Sequence, residues 1–349
     1  MQLFYYQSKE GNFGDDLNSW LWPQLMPDCW QEEDDTLFVG IGTILNNALP
    51  EKNKYAVFGS GVGYQEFSKD ITEGIWDVLC VRGPLSARVL GVASDKAVTD
   101  TALLVREVHQ LVPVENRSGV VFVPHISTVG DGKWQEVCQK AGVKYIDPRT
   151  APEIVVEEIA KSSLVVADAM HAAILADAMR VPWIPVVTTV EINTFKWLDW
   201  TEAMQVPYKP ILLSQSSLQE KVKNIFFFLK GEVQTLFLKT ADSNKQLNLP
   251  DNAVDAAFSY HEEAVSSLSC MKILRMKCFG RVYRRGVSPV LNLSLVQKLL
   301  SPLDRMYFNR AVKSLKHAVQ SDSYLSDEML CNKKLQELKA LLEDIKKSL

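Results

Sequence analysis

The feature that most constrains the fold is a rhythm of short apolar runs alternating with stretches of helical spacing, twice over, between residues 3 and 187. In the first block Leu3–Tyr6 reads as a strand and Asp16–Leu25 as a helix. Thr36–Ile41, Tyr55–Phe58 and Val78–Val81 read as strands, and Pro84–Leu90 as a helix with proline in its first turn. Two strands run straight into glycine, at Gly40-Ile41-Gly42 and at Gly59-Ser60-Gly61-Val62-Gly63. Such junctions suit the carboxyl edge of a parallel sheet, where the chain turns tightly into a loop. The second block repeats the order: strands at Gly119–Val123, Val143–Ile146, Leu164–Ala167 and Trp183–Val187. Helices at Lys133–Ala141, Ala151–Lys161 and Ala169–Met179 separate them. Polar residues at Pro113–Ser118 interrupt the pattern and mark a linker. The reading is α/β: two Rossmann-like domains with a cleft between them, residues 1–115 and 116–215.

Beyond residue 215 the strand signals fade, and 216–349 is expected to be a mostly helical extension with a polar loop at Ala241–Asp251. Cys331, Leu335, Leu338, Leu342, Ile345 and Leu349 form an apolar stripe at spacings of four and three, suited to packing on the body or on a second copy in a homodimer. The formal charge of −4 argues against a nucleic-acid partner. That mean hides a basic zone around 270–310. From Ala264 to Arg310 there are nine basic residues, including Lys272, Arg275, Lys277, Arg284 and Arg285, against the single acid Asp304. Leu268, Met271, Ile273, Leu274, Met276, Phe279, Val282 and Tyr283 interleave with these cations, a composition suited either to peripheral contact with an anionic membrane or to docking on the protein's own body. No apolar run reaches the ~18 residues of a membrane span. The start lacks a basic segment and a cleavage site, so no secretory leader is expected. The six cysteines form no CxxC or regular framework, which fits reduced thiols in the cytoplasm.

Candidate chemistry lies at the strand ends. In Gly11-Asn12-Phe13-Gly14-Asp15-Asp16, Asn12 can hold the loop, while Asp15 can cap the helix or point into the cleft. Gly59–Gly63 lacks the Lys-Ser/Thr of a P-loop and, with Tyr64 next, the third glycine of a dinucleotide fingerprint. It reads as a close backbone approach to a ligand or to the other domain. Arg82, directly after a strand and before a helix, is placed to meet a phosphate or carboxylate, or to pair with a local acid. His125 and His171, two of five histidines, fall at predicted sheet edges. Asp168 stands three residues before His171 and can share its face. Zinc is not expected, since there is no HExxH and no cysteine pair. Phe195-Lys196-Trp197-Leu198-Asp199-Trp200 suits sugar stacking or a crossover pinned between domains.

Taken in order, several of these segments resemble the polysaccharide pyruvyl transferase family, and within it the bacterial exopolysaccharide branch. The matching stretches are Asn12–Asn18, Val39-Gly40-Ile41-Gly42-Thr43, Phe58–Gly63, Val81–Ser86, Thr99-Asp100, Pro124-His125 and Ala169-Met170-His171 followed by Val181-Pro182. They cover roughly residues 1–210. The resemblance implies a GT-B-like pair of domains facing a cleft, the first on the acceptor side and the second on the donor side. Phosphoenolpyruvate would be the donor, with no further cofactor and no metal. By matching position, Arg82 carries over as an anion ligand and His171 as the histidine at the helix start. Many members have Arg-Leu-His there; this chain has Ala169-Met170-His171, and Lys196 and Arg180 are the nearby cations in sequence.

The chemistry then needs an acid for C3 of the enol ester, a base for a sugar hydroxyl and ligands for the anion. His171 as acid/base and Asp15 as base are the expected catalytic pair. Arg82, Asn12, Gly42, Ser60, Gly61, His125, Asp168 and Lys196 are the expected substrate-binding residues. The acceptor would be a sugar of an exopolysaccharide repeat unit on a membrane lipid, at the inner face of the cell membrane. Two other functions share these features: a GT-B glycosyltransferase with a nucleotide-sugar donor, and a non-catalytic scaffold in polysaccharide assembly.

Overall fold

The computed structural model describes residues 1–64, 67–71, 74–230, 233–242, 245–266, 278 and 280–348. The alternation yields two fully parallel sheets. The first has four strands in chain order, β1 (Gln2–Phe4), β2 (Thr36–Val39), β3 (Lys54–Phe58) and β4 (Trp76–Cys80). Helix α1 (Phe13–Leu25) follows β1, and α2 (Pro84–Leu90) follows β4. Strand β1 ends two residues before the sequence reading, and Tyr6 is exposed.

The second sheet contains β5 (Val120–Val123), β6 (Lys144–Tyr145), β7 (Leu164–Ala167), β8 (Trp183–Val187) and β9 (Ile211–Leu212). Its order is β6-β5-β7-β8-β9. Helices α3 (Trp134–Ala141), α4 (Pro152–Ala160), α5 (Met170–Ala178) and α6 (Thr194–Ala203) connect these strands. Both α2 and α3 stop at a left-handed glycine, Gly91 and Gly142, a conformation that ends a helix without a Cβ clash. The chain steps from β5 outward to β6 and returns on the other side of β5 as β7. The connections therefore diverge between β5 and β7, the position where open α/β sheets form a crevice at the strands' carboxyl ends.

The main apolar core runs without a break from the first sheet into the second. Trp22 of α1 packs on Phe38 and Phe58, with ring centroids 4.9 and 5.6 Å apart. Between the sheets, α1 packs on α4, α2 on α6, and α5 on a 3-10 segment at Thr101–Glu107. The 3-10 segment has no apolar period and is absent from the sequence reading. A second core, around Phe122, Trp134, Val166 and Ile184, lies on the far side of the second sheet.

The described part of the extension is mostly helical: α7 (Leu218–Lys230), α8 (Ala253–Ser266), α9 (Ser294–Val319) and α10 (Glu328–Ser348). It braces the sheets: Ala311, Val312, Leu315 and Ala318 of α9 enter the second core. The stripe of α10, from Cys331 to Ile345, is buried in the main core, so it packs on the body; Leu349 lies outside the described residues. Lys272, Arg275, Lys277, Leu268, Met271, Ile273, Leu274, Met276 and Phe279 of the basic zone also lie outside them. Among the described residues no helix is long and apolar enough to cross a membrane.

Candidate active site

The first wall of the site is the start of α1. Asn12 is its N-cap, and the Asn12 backbone N–H donates to Asp16 Oδ2 at 2.9 Å. Asp16 thus makes the local capping bond, which leaves the Asp15 carboxylate free of it. Asn12 Nδ2 donates to Asp15 Oδ2 at 2.5 Å, and Asp15 Oδ1 would lie 3.7 Å from a Cβ at Gly42. Burial pushes the Asp15 pKa up to about 6, opposed by the charge of Lys196. Buried Asn18 ties this helix to the loop after β2. It donates to Asp15 O and Ile41 O, and accepts from Trp22 Nε1 and Ile41 N. The sequence reading gave Asn18 no role. Its signal was a polar residue on the apolar face of an amphipathic helix.

The second wall is the divergence point of the second sheet. His125 follows β5 and Asp168 follows β7, whose last residues pair as Val123 and Ala167. Asp168 is fully buried and accepts from His125 N, Thr188 N and Thr188 Oγ1 at 2.9, 3.0 and 2.6 Å. Its oxygens tie β5, β7 and β8 together, so the structure gives it a positioning role in place of the expected substrate contact. Burial still pushes its pKa up to about 7. His125 Nδ1 lies 2.7 Å from Ser127 Oγ. Burial, helped by Lys196 and Lys223, depresses the His125 pKa to about 3.

His171, in the first turn of α5, reaches across to the first wall. Its Nε2 lies 3.8 Å from Asp100 Oδ2, and neither buried atom has a hydrogen-bond partner. Asp100 belongs to the Thr99-Asp100 stretch of the resemblance, which assigns it no role. It caps the 3-10 segment with its other oxygen, Oδ1, which accepts from Ala102 N at 3.0 Å. Burial pushes the Asp100 pKa up to about 6. Burial, then Lys196 and Arg82, lowers the His171 pKa to about 3. The imidazole is therefore neutral at pH 7.

The His171 ring lies on Gly14: a Cβ there would fall well inside van der Waals contact of Nδ1. Gly14→Ala is accordingly expected to push the ring off its position, destabilise the fold by about 1–3 kcal/mol and lower turnover. Thermal melting together with steady-state kinetics checks both effects. An alanine variant with unchanged melting and rate would contradict this packing.

Arg82 departs from expectation. It is fully buried, with Nε on Asp199 Oδ2 at 2.9 Å, NH1 on Thr43 Oγ1 at 2.6 Å and NH2 on Val62 O at 2.9 Å. Its carboxylate partner is internal and 117 residues away in sequence. Asp199, on α6, also accepts from Ser86 N and Ser86 Oγ. Ser60, expected to bind substrate, is fully buried and donates its hydroxyl to Gly40 O. Gly61 is bare because the Arg82 guanidinium lies against it, and Gly83 because Asp199 O does. Gly61 of the glycine-rich stretch therefore admits the Arg82 side chain, and Gly83, before α2, admits the α6 backbone. Asn193 Nδ2, donating to Gly63 O at 2.7 Å, adds a further bond between the sheets.

Trp197 and Trp200 are buried against Trp183, so the aromatic pair pins α6 and is closed to sugar stacking. Lys196 differs from its neighbours. It is partly exposed, its Nζ donates to Tyr64 OH at 2.8 Å, and it lies 4.5 Å from the centre of the Tyr64 ring. Its charge acts on Asp15, Asp100, His125 and His171 alike. The site is thus a cation and four shifted acid–base groups gathered where the carboxyl ends of both sheets meet.

Two parallel sheets meeting at this cluster agree with the family match. The model of the polysaccharide pyruvyl transferase family matches residues 5–189, and the chain belongs to that family of transferases. It is 43% identical over 211 residues, 60% of this chain and 67% of the relative, to the succinoglycan biosynthesis protein ExoV of Rhizobium meliloti (strain 1021). No solved structure matches.

Proposed function

We propose that the chain transfers pyruvate from phosphoenolpyruvate to a sugar of an exopolysaccharide repeat unit carried on a lipid at the inner face of the cell membrane. In this reading the two sheets are the lobes of a GT-B-like enzyme. Residues 1–115 serve the acceptor, 116–215 the donor, and 216–349 form the brace. The observation that carries it is the juxtaposition of His171 and Asp100, two buried groups whose facing atoms Nε2 and Oδ2 have no hydrogen-bond partner, beside Asp15 and Lys196. The family resemblance supplies the donor.

The donor's anionic groups are attracted to Lys196, the cation that faces the cleft, while Arg82 holds α6 through Asp199. An anion beside His171 reverses the effect of the cations, so the ring takes up a proton as the donor binds, with Asp100 backing the imidazolium. That proton passes to C3, which becomes the methyl group, and C2 becomes electrophilic. Asp15 accepts the proton of the attacking sugar hydroxyl. The C2–O bond to phosphate breaks with its electron pair, and a second hydroxyl adds to C2 to close the ketal. Of the two hydroxyl protons, one balances the proton gained by C3 and the other leaves with phosphate.

Mass spectrometry of a lipid-linked oligosaccharide incubated with phosphoenolpyruvate is expected to show an added ketal pyruvate, with one phosphate released per transfer. Thermal stabilisation by nucleotide sugars alone, without product, would favour a glycosyltransferase instead.

The pH profile follows from Asp15. A base must be ionised, so kcat/KM falls as pH drops through about 6, where Asp15 of the free protein gains a proton. Lys196 stabilises the Asp15 carboxylate. In Lys196→Met the Asp15 pKa rises, and the acid limb of kcat/KM is expected to move to higher pH. An unmoved limb in a pH series of the variant would disconnect Lys196 from the base.

A further inference from the structure

We infer that the exposed part of the extension between residues 281 and 310 is a docking surface for an anionic lipid bilayer. The proposal stands apart from the chemistry of the cleft. Helix α9 has 26 residues, yet those it buries, Ala311, Val312, Leu315 and Ala318, all lie in its last turns. The preceding turns hold Leu295, Leu299 and Leu303, spaced four apart and therefore on one face; Leu295 is 78% and Leu299 79% exposed. Val290 and Leu293, just before the helix, are also more than half exposed. Leucines this open, next to one another, form an apolar patch that water does not favour.

Charge identifies the occupant. Between residues 281 and 310 the chain carries six basic residues and one acid. Arg281, Arg284, Arg285, Lys298 and Arg305 are exposed. The lone acid, Asp304, is paired with Lys133 and also accepts from Leu218 N, so it leaves the surface positive. Tyr283, buried beside Phe226 with ring centroids 5.4 Å apart, anchors the segment to α7. Leucines on one face and cations at its margins are the arrangement of a helix lying in the headgroup layer: the apolar side enters the acyl boundary and the cations meet lipid phosphates. A second protein copy carrying the same positive surface would be repelled; an anionic membrane is attracted.

The test is flotation of the full chain with vesicles of phosphatidylcholine alone or with phosphatidylglycerol added. Binding is expected only to the anionic vesicles, and to weaken with salt. Leu295→Ser/Leu299→Ser is expected to weaken binding by roughly tenfold or more, and Arg284→Ala/Arg285→Ala by roughly fivefold per cation. These side chains are exposed, so both variants should keep the parent melting temperature and the parent rate of phosphate release with a water-soluble acceptor. Equal flotation of parent and leucine variant would overturn the proposal. So would a parent dimer that becomes a monomer in the leucine variant by light scattering, because the patch would then be a chain–chain interface. Flotation is read independently of pyruvate transfer, so failure of one reading leaves the other intact.

Discussion

His171→Gln is expected to lower turnover by roughly 10²–10⁴-fold with little change in melting temperature. Glutamine is of similar reach and uncharged, as the neutral imidazole is, but it cannot carry a proton to C3. The measurement is phosphate release together with mass detection of the pyruvylated sugar. A second readout separates this role from a packing role. His171 starts neutral with its pKa near 3, and donor binding must raise it, so binding takes up a proton. Calorimetry in buffers of different ionisation enthalpy should detect that proton in the parent and lose it in His171→Gln. Asp100→Asn should retain part of the rate with a changed pH profile, because the amide removes the charge that backs the imidazolium. A glutamine variant with parental turnover would end the proposed chemistry, whatever the family.

The second large effect is on stability. Arg82 and Asp199 are both 0% exposed and form an ion pair between α6 and the loop after β4. Removing one member strands the other charge without water, a loss of about 3–5 kcal/mol. Arg82→Met is therefore expected to be strongly destabilising in chemical denaturation, and Asp199→Asn less so, because the amide still accepts from Ser86. Removing both charges as Arg82→Met/Asp199→Leu should recover part of the loss, since no lone charge remains. If Arg82→Met unfolded like the parent while donor binding weakened, the arginine would be a ligand after all.

The parallel sheets were legible because each strand is a short apolar run ending at glycine, proline or a polar residue, and because Gly91 and Gly142 mark helix ends. The two-residue strand β9 was not: Ile211-Leu212 carries no period of its own and is defined by its pairing with β8. At the site, Asp15, His125, His171 and Lys196 could be found from their places at strand and helix ends. The role of Arg82 could not, because its partner lies on a helix that sequence distance hides. Nor could that of Asp168, whose oxygens are taken by Thr188, just past β8 and 20 positions later. Asp100 became visible only when α5 brought an imidazole to it. Local pattern encodes where a residue sits along its element; what it faces depends on how remote elements pack.

Lys196 and Asp199 stand three residues apart on α6, one bonded to Tyr64, the other holding Arg82. A single rod therefore carries both the ion pair that joins it to the loop after β4 and the charge that tunes the acidity of four reacting or adjoining groups. Any displacement of α6 that broke this ion pair would also withdraw that charge, and the pKa values of all four groups would rise together.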